Sequence, residues 1–381
     1  MDATPVKPPA NRPVIPLVPI KGRGTPWAIA PRFAREARAA WADGWDAPAE
    51  PAGAVATTVH EVAAKAILSG NESPDIPFDL SINPYRGCEH GCVYCFARPT
   101  HSYLDLSPGL AFETQILAKV NAAERLRAAL AAPGYTPLAL NLGSATDAYQ
   151  PAERRLGITR QVIEVLSGCG HPFSVITKAA LIERDLDLLA PAAARGQVAA
   201  YVSVTTLDGA LARAMEPRAA APQRRLQTIA RLAQAGVPVG VSVSPLIPFL
   251  NEPELERVLE AAAAAGATHA FCTPIRLPWE VNPLFQQWLA DHFPDRAQRV
   301  MARIRDLRGG RDNDARFGHR MKGGGLWGEL IQQRFAHATR RLGLNRTRIE
   351  LDASAFVPPP APPRGGRRGG GMVAGQQSLF D

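Results

Sequence analysis

The chain has 381 residues, 46% of them hydrophobic and 20% charged, with a formal net charge of +8. That length can bury a large core in one domain. No apolar run reaches the roughly 20 residues a membrane helix needs, so a soluble, cytoplasmic protein with no membrane partner is expected. Five cysteines in so long a chain, with no apolar leader-like stretch at its start, do not read as a disulfide framework.

The first 25 residues are proline-rich, carry Lys7, Arg12, Lys21 and Arg23, and offer little to bury. Residues 1–50 are therefore expected to form a mostly disordered arm. A strand over about Phe78–Asn83 opens the folded part. Phe112 to Ala132 has helical spacing, with Ile116, Leu117, Val120, Leu126 and Leu130 on one side. Short apolar strands are expected at Leu138–Leu142, Pro172–Lys178, Val198–Val204, Val237–Val243 and Thr268–Thr273. Helices are expected between them at Ile158–Leu166, Leu181–Ala194, Arg224–Ala235 and Glu254–Ala265. Together these are six βα units, a pattern that implies an α/β fold with a parallel sheet and helices outside it. More helices follow Pro283, to about Leu342. From Phe356 to Gly371 the chain reads as a linker, stiff with proline and then flexible with glycine. The expected divisions are an arm over 1–50, a core over 55–280, a basic helical extension over 281–350 and a tail over 351–381.

Chemistry concentrates in the run Asn83-Pro-Tyr-Arg-Gly-Cys-Glu-His-Gly-Cys-Val-Tyr-Cys-Phe-Ala-Arg98. Cys88, Cys92 and Cys95 form a C-x3-C-x2-C spacing. One short loop with three thiolates can hold three corners of a cubane iron–sulfur cluster. With no fourth cysteine nearby, one iron stays open to a small molecule. The alternative is a structural zinc site completed by His90 or His101. Zinc loops usually bring a second cysteine pair, whereas Cys169 and Cys272 stand alone.

The motif and its setting resemble the radical S-adenosylmethionine (radical SAM) superfamily, and within it the group related to spore photoproduct lyase. The resemblance covers about residues 55–345. Its carrying residues are Asn71 to Phe78, Ser81 to Cys95, Arg98-Pro-Thr-His101 and Thr146-Asp-Ala-Tyr-Gln-Pro151. It implies a partial TIM barrel of six units closed at the side by the C-terminal helices. It also implies a 4Fe-4S cluster on the three cysteines, S-adenosylmethionine (SAM) as second cofactor, and reductive cleavage of SAM to a 5′-deoxyadenosyl radical. An electron donor such as flavodoxin or ferredoxin would then be needed.

In such barrels the chemistry lies at the C-terminal strand ends, and each strand here runs into polar or special residues. By resemblance, Gly143, Ser144 and Asp147 stand where the superfamily contacts the methionine amino group of SAM. Lys178 can meet the carboxylate as a point charge. Ser203 and Thr205 can reach ribose or carboxylate, or can serve strand-end hydrogen bonding. Tyr94 matches an aromatic packed near adenine. Two residues depart from the family pattern. Spore photoproduct lyases carry a cysteine hydrogen donor where this chain has Ser144, whose O–H bond is too strong for that role. Cys272 could substitute, or could be a small buried residue; Cys169 reads as structural. Ala111 stands where relatives carry aspartate, leaving Glu113 as the acid of that helix start.

Charge is uneven: residues 291–350 carry 14 Lys or Arg against 7 Asp or Glu, a balance of +7, and residues 351–381 add +1. A basic C-terminal third can neutralise phosphates, or can be a solvated arginine-rich face. The terminal Gln376-Gln-Ser-Leu-Phe380 resembles the pentapeptide that docks on the bacterial DNA sliding clamp. Gln376, Leu379 and Phe380 would be the anchors, with Gln377 standing where leucine is usual. The leading expectation is a radical SAM enzyme acting on nucleic acid, most plausibly damaged DNA. The alternatives are RNA, a peptide or a small metabolite as substrate, or a non-catalytic iron–sulfur or zinc protein associated with DNA.

Overall fold

A computed structural model describes residues 14–16, 22–34 and 55–360. In chain order, β1 (Val14–Pro16) and β2 (Trp27–Ile29) form an antiparallel pair, followed by β3 (Thr58–Val62) and β4 (Leu68–Gly70). β5 (Leu80–Ile82) leads through β6 (Tyr85–Arg86) and the cysteine loop to α1 (Leu110–Thr114), β7 (Gln115–Lys119) and α2 (Ala122–Leu130). Strands and helices then alternate. β8 (Leu140–Leu142) precedes α3 (Glu153–Leu156) and α4 (Ile158–Gly168), and β9 (Phe173–Thr177) precedes α5 (Leu186–Ala194). β10 (Val198–Ser203) precedes α6 (Gly209–Met215) and α7 (Pro222–Gln234), and β11 (Val239–Leu246) precedes α8 (Leu255–Ala264). β12 (His269–Pro274) is followed by α9 (Val281–His292), α10 (Pro294–Leu307) and α11 (Gly325–Leu342).

The main sheet has seven strands in the order β12-β11-β10-β9-β8-β5-β4. All its pairings are parallel except β4 with β5. This is the α/β fold, with the parallel sheet of a partial barrel, that the sequence implied. Strands such as β10 are apolar almost throughout because both faces are covered. The helices are one-sided: α4 buries Ile158, Val162, Ile163, Val165 and Leu166 against the sheet. Parallel strands bring all six C-terminal ends to one edge, where the cysteine loop also lies. Among the described residues no helix is long and apolar enough to cross a membrane.

Three expectations need correction. The single helix expected over Phe112–Ala132 is interrupted by β7. Ile116 and Ala118 are fully buried while their neighbours are partly exposed, a period of two rather than 3.6. β7 pairs with β3 and β6 in a separate three-stranded sheet beside the cysteine loop. Residues 22–34, expected within a disordered arm, are packed, because Thr25, Trp27 and Ile29 find buried places. Phe356, expected to open the linker, packs against Tyr135 and His171 with ring centroids 5.7 and 5.4 Å away. Residues 14–16 of the expected arm form β1, and the rest of that arm and the tail from residue 361 lie outside the described residues.

Candidate functional site

The cysteine loop is held from behind by a buried ion pair. Arg98 Nη2 donates to Glu113 Oε1 at 2.6 Å, and both side chains are fully buried. The same guanidinium donates to the carbonyl of Cys92 at 2.9 Å and to the Thr25 hydroxyl at 3.0 Å. Glu113 also accepts the backbone N–H of Gly24 at 2.9 Å and of Thr25 at 3.0 Å. The N-terminal segment can lie this close only because residue 24 is glycine: a Cβ there would stand 1.7 Å from the carbonyl oxygen of Gly91. Glu113 thus ties residues 22–29, α1 and the cysteine loop into one unit.

Cys88 and Cys92 are buried and Cys95 is half-buried; none forms a disulfide. Burial pushes the Cys92 thiol up to about 12 and the Cys88 thiol well above its ordinary range, and the neighbouring cysteines add to both shifts. Buried thiols held this way ionise together only when a cationic group binds among them, so the donor set fits an iron–sulfur cluster. The two histidines that could complete a zinc set are engaged elsewhere. His90 Nδ1 lies 3.2 Å from Asp147 Oδ2, and His101 Nε2 lies 3.1 Å from the carbonyl of Gln115.

Next to the loop stands the turn after β8. Gly143 takes φ of +85°, and its N–H donates to the carbonyl of Ile82 at 3.0 Å. Ser144 is hydrogen-bonded to the Asn83 amide at 3.1 Å. Asp147 is saturated. Its Oδ1 accepts from the Thr177 hydroxyl at 2.7 Å and Tyr149 N–H at 2.9 Å, and its Oδ2 from Lys178 N–H at 2.8 Å beside His90. Burial alone would raise its pKa, but His90 and these donors hold it down at about 2. Thr146 and Gln150 reach the Gly87 carbonyl at 2.7 and 3.2 Å, so this turn and the cysteine loop brace each other.

Around Cys92 lies a second group. The Tyr94 hydroxyl donates to Glu216, which also accepts from Thr205 Oγ1 at 2.9 Å and from the buried Arg225. Arg225 Nη1 donates to the Ser203 carbonyl at 3.1 Å. Burial alone would raise the Glu216 pKa, yet Arg225 and Lys178 lower it, so it stays ionised. Lys178 Nζ lies 5.8 Å from the centre of the Tyr94 ring. Burial would lower its pKa, but Cys92 and Glu216 outweigh that and raise it. Among the described residues neither Lys178 Nζ nor the Ser203 hydroxyl has a hydrogen-bond partner.

The structure therefore gathers the expected residues into two adjoining groups by the thiols: Gly143, Ser144 and Asp147 towards Cys88, and Tyr94, Lys178, Ser203 and Thr205 towards Cys92, joined where Lys178 N–H donates to Asp147. Cys272 lies on β12, with burial pushing its thiol up to about 12. Cys169 donates to the Val165 carbonyl at 3.0 Å, a helix-end contact. Gln376, Leu379 and Phe380 lie outside the described residues. Sequence reasoning missed Glu216 and Arg225. They come from the residue that ends α6 and from α7, and meet Tyr94 only through the fold. In the basic extension many cations are already matched. Arg305 pairs with Asp312 at 2.8 Å, Arg320 with Asp75 at 2.6 Å, and Arg316 with Asp314 at 2.8 Å. Arg334 and Arg341 pair with glutamates of and near α8.

A family model described as the Radical SAM superfamily matches residues 82–262. An uncharacterised protein of Mycobacterium tuberculosis (strain ATCC 25618 / H37Rv), Rv2578c, is 40% identical over 255 residues, 66% of this chain and 73% of that one. Among solved structures, spore photoproduct lyase complexed with dinucleoside spore photoproduct superposes with a TM-score of 0.54. It is 13% identical, over 75% of this chain and 80% of that one. A point mutant of spore photoproduct lyase gives 0.55 at 14% identity over the same shares. These structural likenesses concern the fold.

Proposed function

The chain belongs to the radical SAM superfamily, and we propose that it carries a 4Fe-4S cluster on Cys88, Cys92 and Cys95 and uses SAM to modify nucleic acid. The observation that carries this reading is the pairing of three thiols on one loop with a cation, Lys178, that has no hydrogen-bond partner among the described residues and lies at the same strand edge. When bound, the cluster and SAM supply radical chemistry that begins with one-electron cleavage of a carbon–sulfur bond. The chain's own residues do the holding. Lys178 takes the SAM carboxylate, with the Ser203 hydroxyl free to join it. Tyr94 offers a ring face for adenine, fixed by its bond to Glu216, which Arg225 and Thr205 hold in turn. The Gly143–Ser144 turn lies in the adjoining group, for the methionine amino group. Asp147 keeps that turn against the loop.

Nucleic acid as substrate is supported by the neighbour that is complexed with a dinucleoside lesion and by the basic C-terminal third. Ion pairs from that third to carboxylates elsewhere in the chain lower its free charge, which favours a local binding site over a broad duplex-binding face. Repair of spore photoproduct itself is disfavoured by Ser144, which would quench a substrate radical poorly. Recruitment is proposed through Gln376, Leu379 and Phe380 to a sliding clamp, with flavodoxin or ferredoxin as electron source. Titrating the C-terminal peptide and its Leu379→Ala/Phe380→Ala version against purified clamp tests the recruitment. The test of the reaction is anaerobic incubation of the reconstituted enzyme with SAM, reductant and deuterated nucleic acid. Deuterium in the 5′-deoxyadenosine formed supports the reading. SAM cleavage without any transfer from DNA or RNA would remove nucleic acid as substrate.

A further inference from the structure

We infer that an aromatic surface beside the cysteine loop is a stacking platform for unpaired nucleobases, holding the strand that flanks the reacting nucleotide. The inference rests on the nucleic-acid reading above and adds the place and mode of binding. Phe33, Phe96, Tyr103 and Trp279 are each between 53% and 67% exposed. A single exposed aromatic is ordinary, but these converge. Arg32 stacks over Trp279 at 4.0 Å and lies 5.2 Å from the Phe33 ring centre and 5.7 Å from that of Tyr103. Phe33 and Tyr103 are themselves 5.0 Å apart.

Three segments build the surface: residues 32–33 after β2, the turn that leaves Cys95, and the loop after β12. They are pinned together by Glu280, whose Oε1 accepts from Ser102 Oγ at 2.9 Å and meets Arg32 Nε at 2.8 Å. The last two meet again where Arg276 lies 5.9 Å from the Phe96 ring centre. Trp279 takes φ of +47°, a region a bulky side chain avoids. Burial of the indole does not offset that strain, since the ring is mostly exposed. The backbone instead displays the ring outward, as strained residues at binding sites do. Arg276 adds the charge. Its Nε is buried without a partner and Nη1 meets only the Met321 sulfur at 3.4 Å. An under-satisfied guanidinium beside aromatic faces suits a phosphate between stacked bases. Stacked guanidinium and rings in alternation match the way single strands are bound without base-edge readout. An aliphatic protein partner would not call for interleaved arginine.

The test is fluorescence anisotropy with the reconstituted full chain and a labelled single strand of about twelve nucleotides. An abasic strand of equal length carries the same phosphates without bases. The wild type should prefer the strand with bases. Trp279→Ala and Tyr103→Ala should each weaken that binding about ten-fold and erase the preference, while Trp279→Phe should restore most of it. Should Trp279→Ala fail to fold by circular dichroism, Trp279→Leu keeps the volume and removes the ring. Equal affinity of wild type and variants for the strand overturns the platform and leaves the nucleic-acid reading standing. So does equal binding of abasic and natural strands by the wild type. No binding of single strand, duplex or RNA overturns both.

Discussion

The two groups by the thiols share one strand edge yet differ in how their charges are met. Asp147 takes four donors and has nothing left to offer a ligand. Lys178, one strand-end further on, has its charge raised by its surroundings but no hydrogen-bond partner among the described residues. The contrast separates scaffold from site. A charge whose partners are all protein groups fixes geometry, whereas a partly exposed charge with no hydrogen-bond partner is placed for something that arrives. Glu113 with Arg98 belongs with Asp147, and Ser203 belongs with Lys178.

The largest effect should come from the loop the two groups share. Alanine at Cys88, Cys92 or Cys95 should abolish iron binding and SAM cleavage outright, while Cys169→Ala keeps both; iron and sulfide assays with 5′-deoxyadenosine detection check this. Next in size is the scaffold behind the loop. Glu113→Ala strands Arg98 as an uncompensated buried charge and should cost about 3–5 kcal/mol in urea unfolding. A cost near zero would mean the pair is not what holds the loop.

On the open side, Lys178→Met should keep the cluster's iron and raise the KM for SAM by about ten- to hundred-fold, the worth of a charge-assisted hydrogen bond. Lys178→Arg should recover part of it. An unchanged KM would move the carboxylate site elsewhere. The smallest effect is on the saturated side. The Asp147 pKa is lowered from 3.8 to about 2, so its contribution is fully present above pH 4 and is lost as pH falls towards 2. That contribution is about 2 kcal/mol. Asp147→Asn should remove it at neutral pH and flatten the acid limb of the stability profile. An acid limb identical to wild type would show that Asp147 is not the brace described.

The parts legible in the sequence were those written locally. Three cysteines on one loop, and polar residues closing each apolar strand, are readable because parallel βα units send every strand end to one edge. The partners of those residues were not. Glu216 lies 122 positions from Tyr94, and nothing in its own neighbourhood marks it as a hydrogen-bond acceptor for a distant tyrosine. Phe112–Ala132 misled because Ile116, Leu117 and Val120 satisfy helical spacing while the alternation of Ile116 and Ala118 satisfies a strand. Only the availability of β3 and β6 as partners decides between them. The +7 of residues 291–350 subtracted only the carboxylates of that stretch, while others that pair with its arginines lie elsewhere in the chain, such as Asp75 with Arg320.

The account stands most directly on the open iron. Electron paramagnetic resonance of the reduced, anaerobically reconstituted protein, recorded with and without SAM, tests it. The account predicts a cluster signal whose g-values change on adding SAM, with no cluster signal in Cys92→Ala and the change needing more SAM in Lys178→Met. Stoichiometric zinc without iron, or a cluster signal that SAM leaves unaltered, would contradict it.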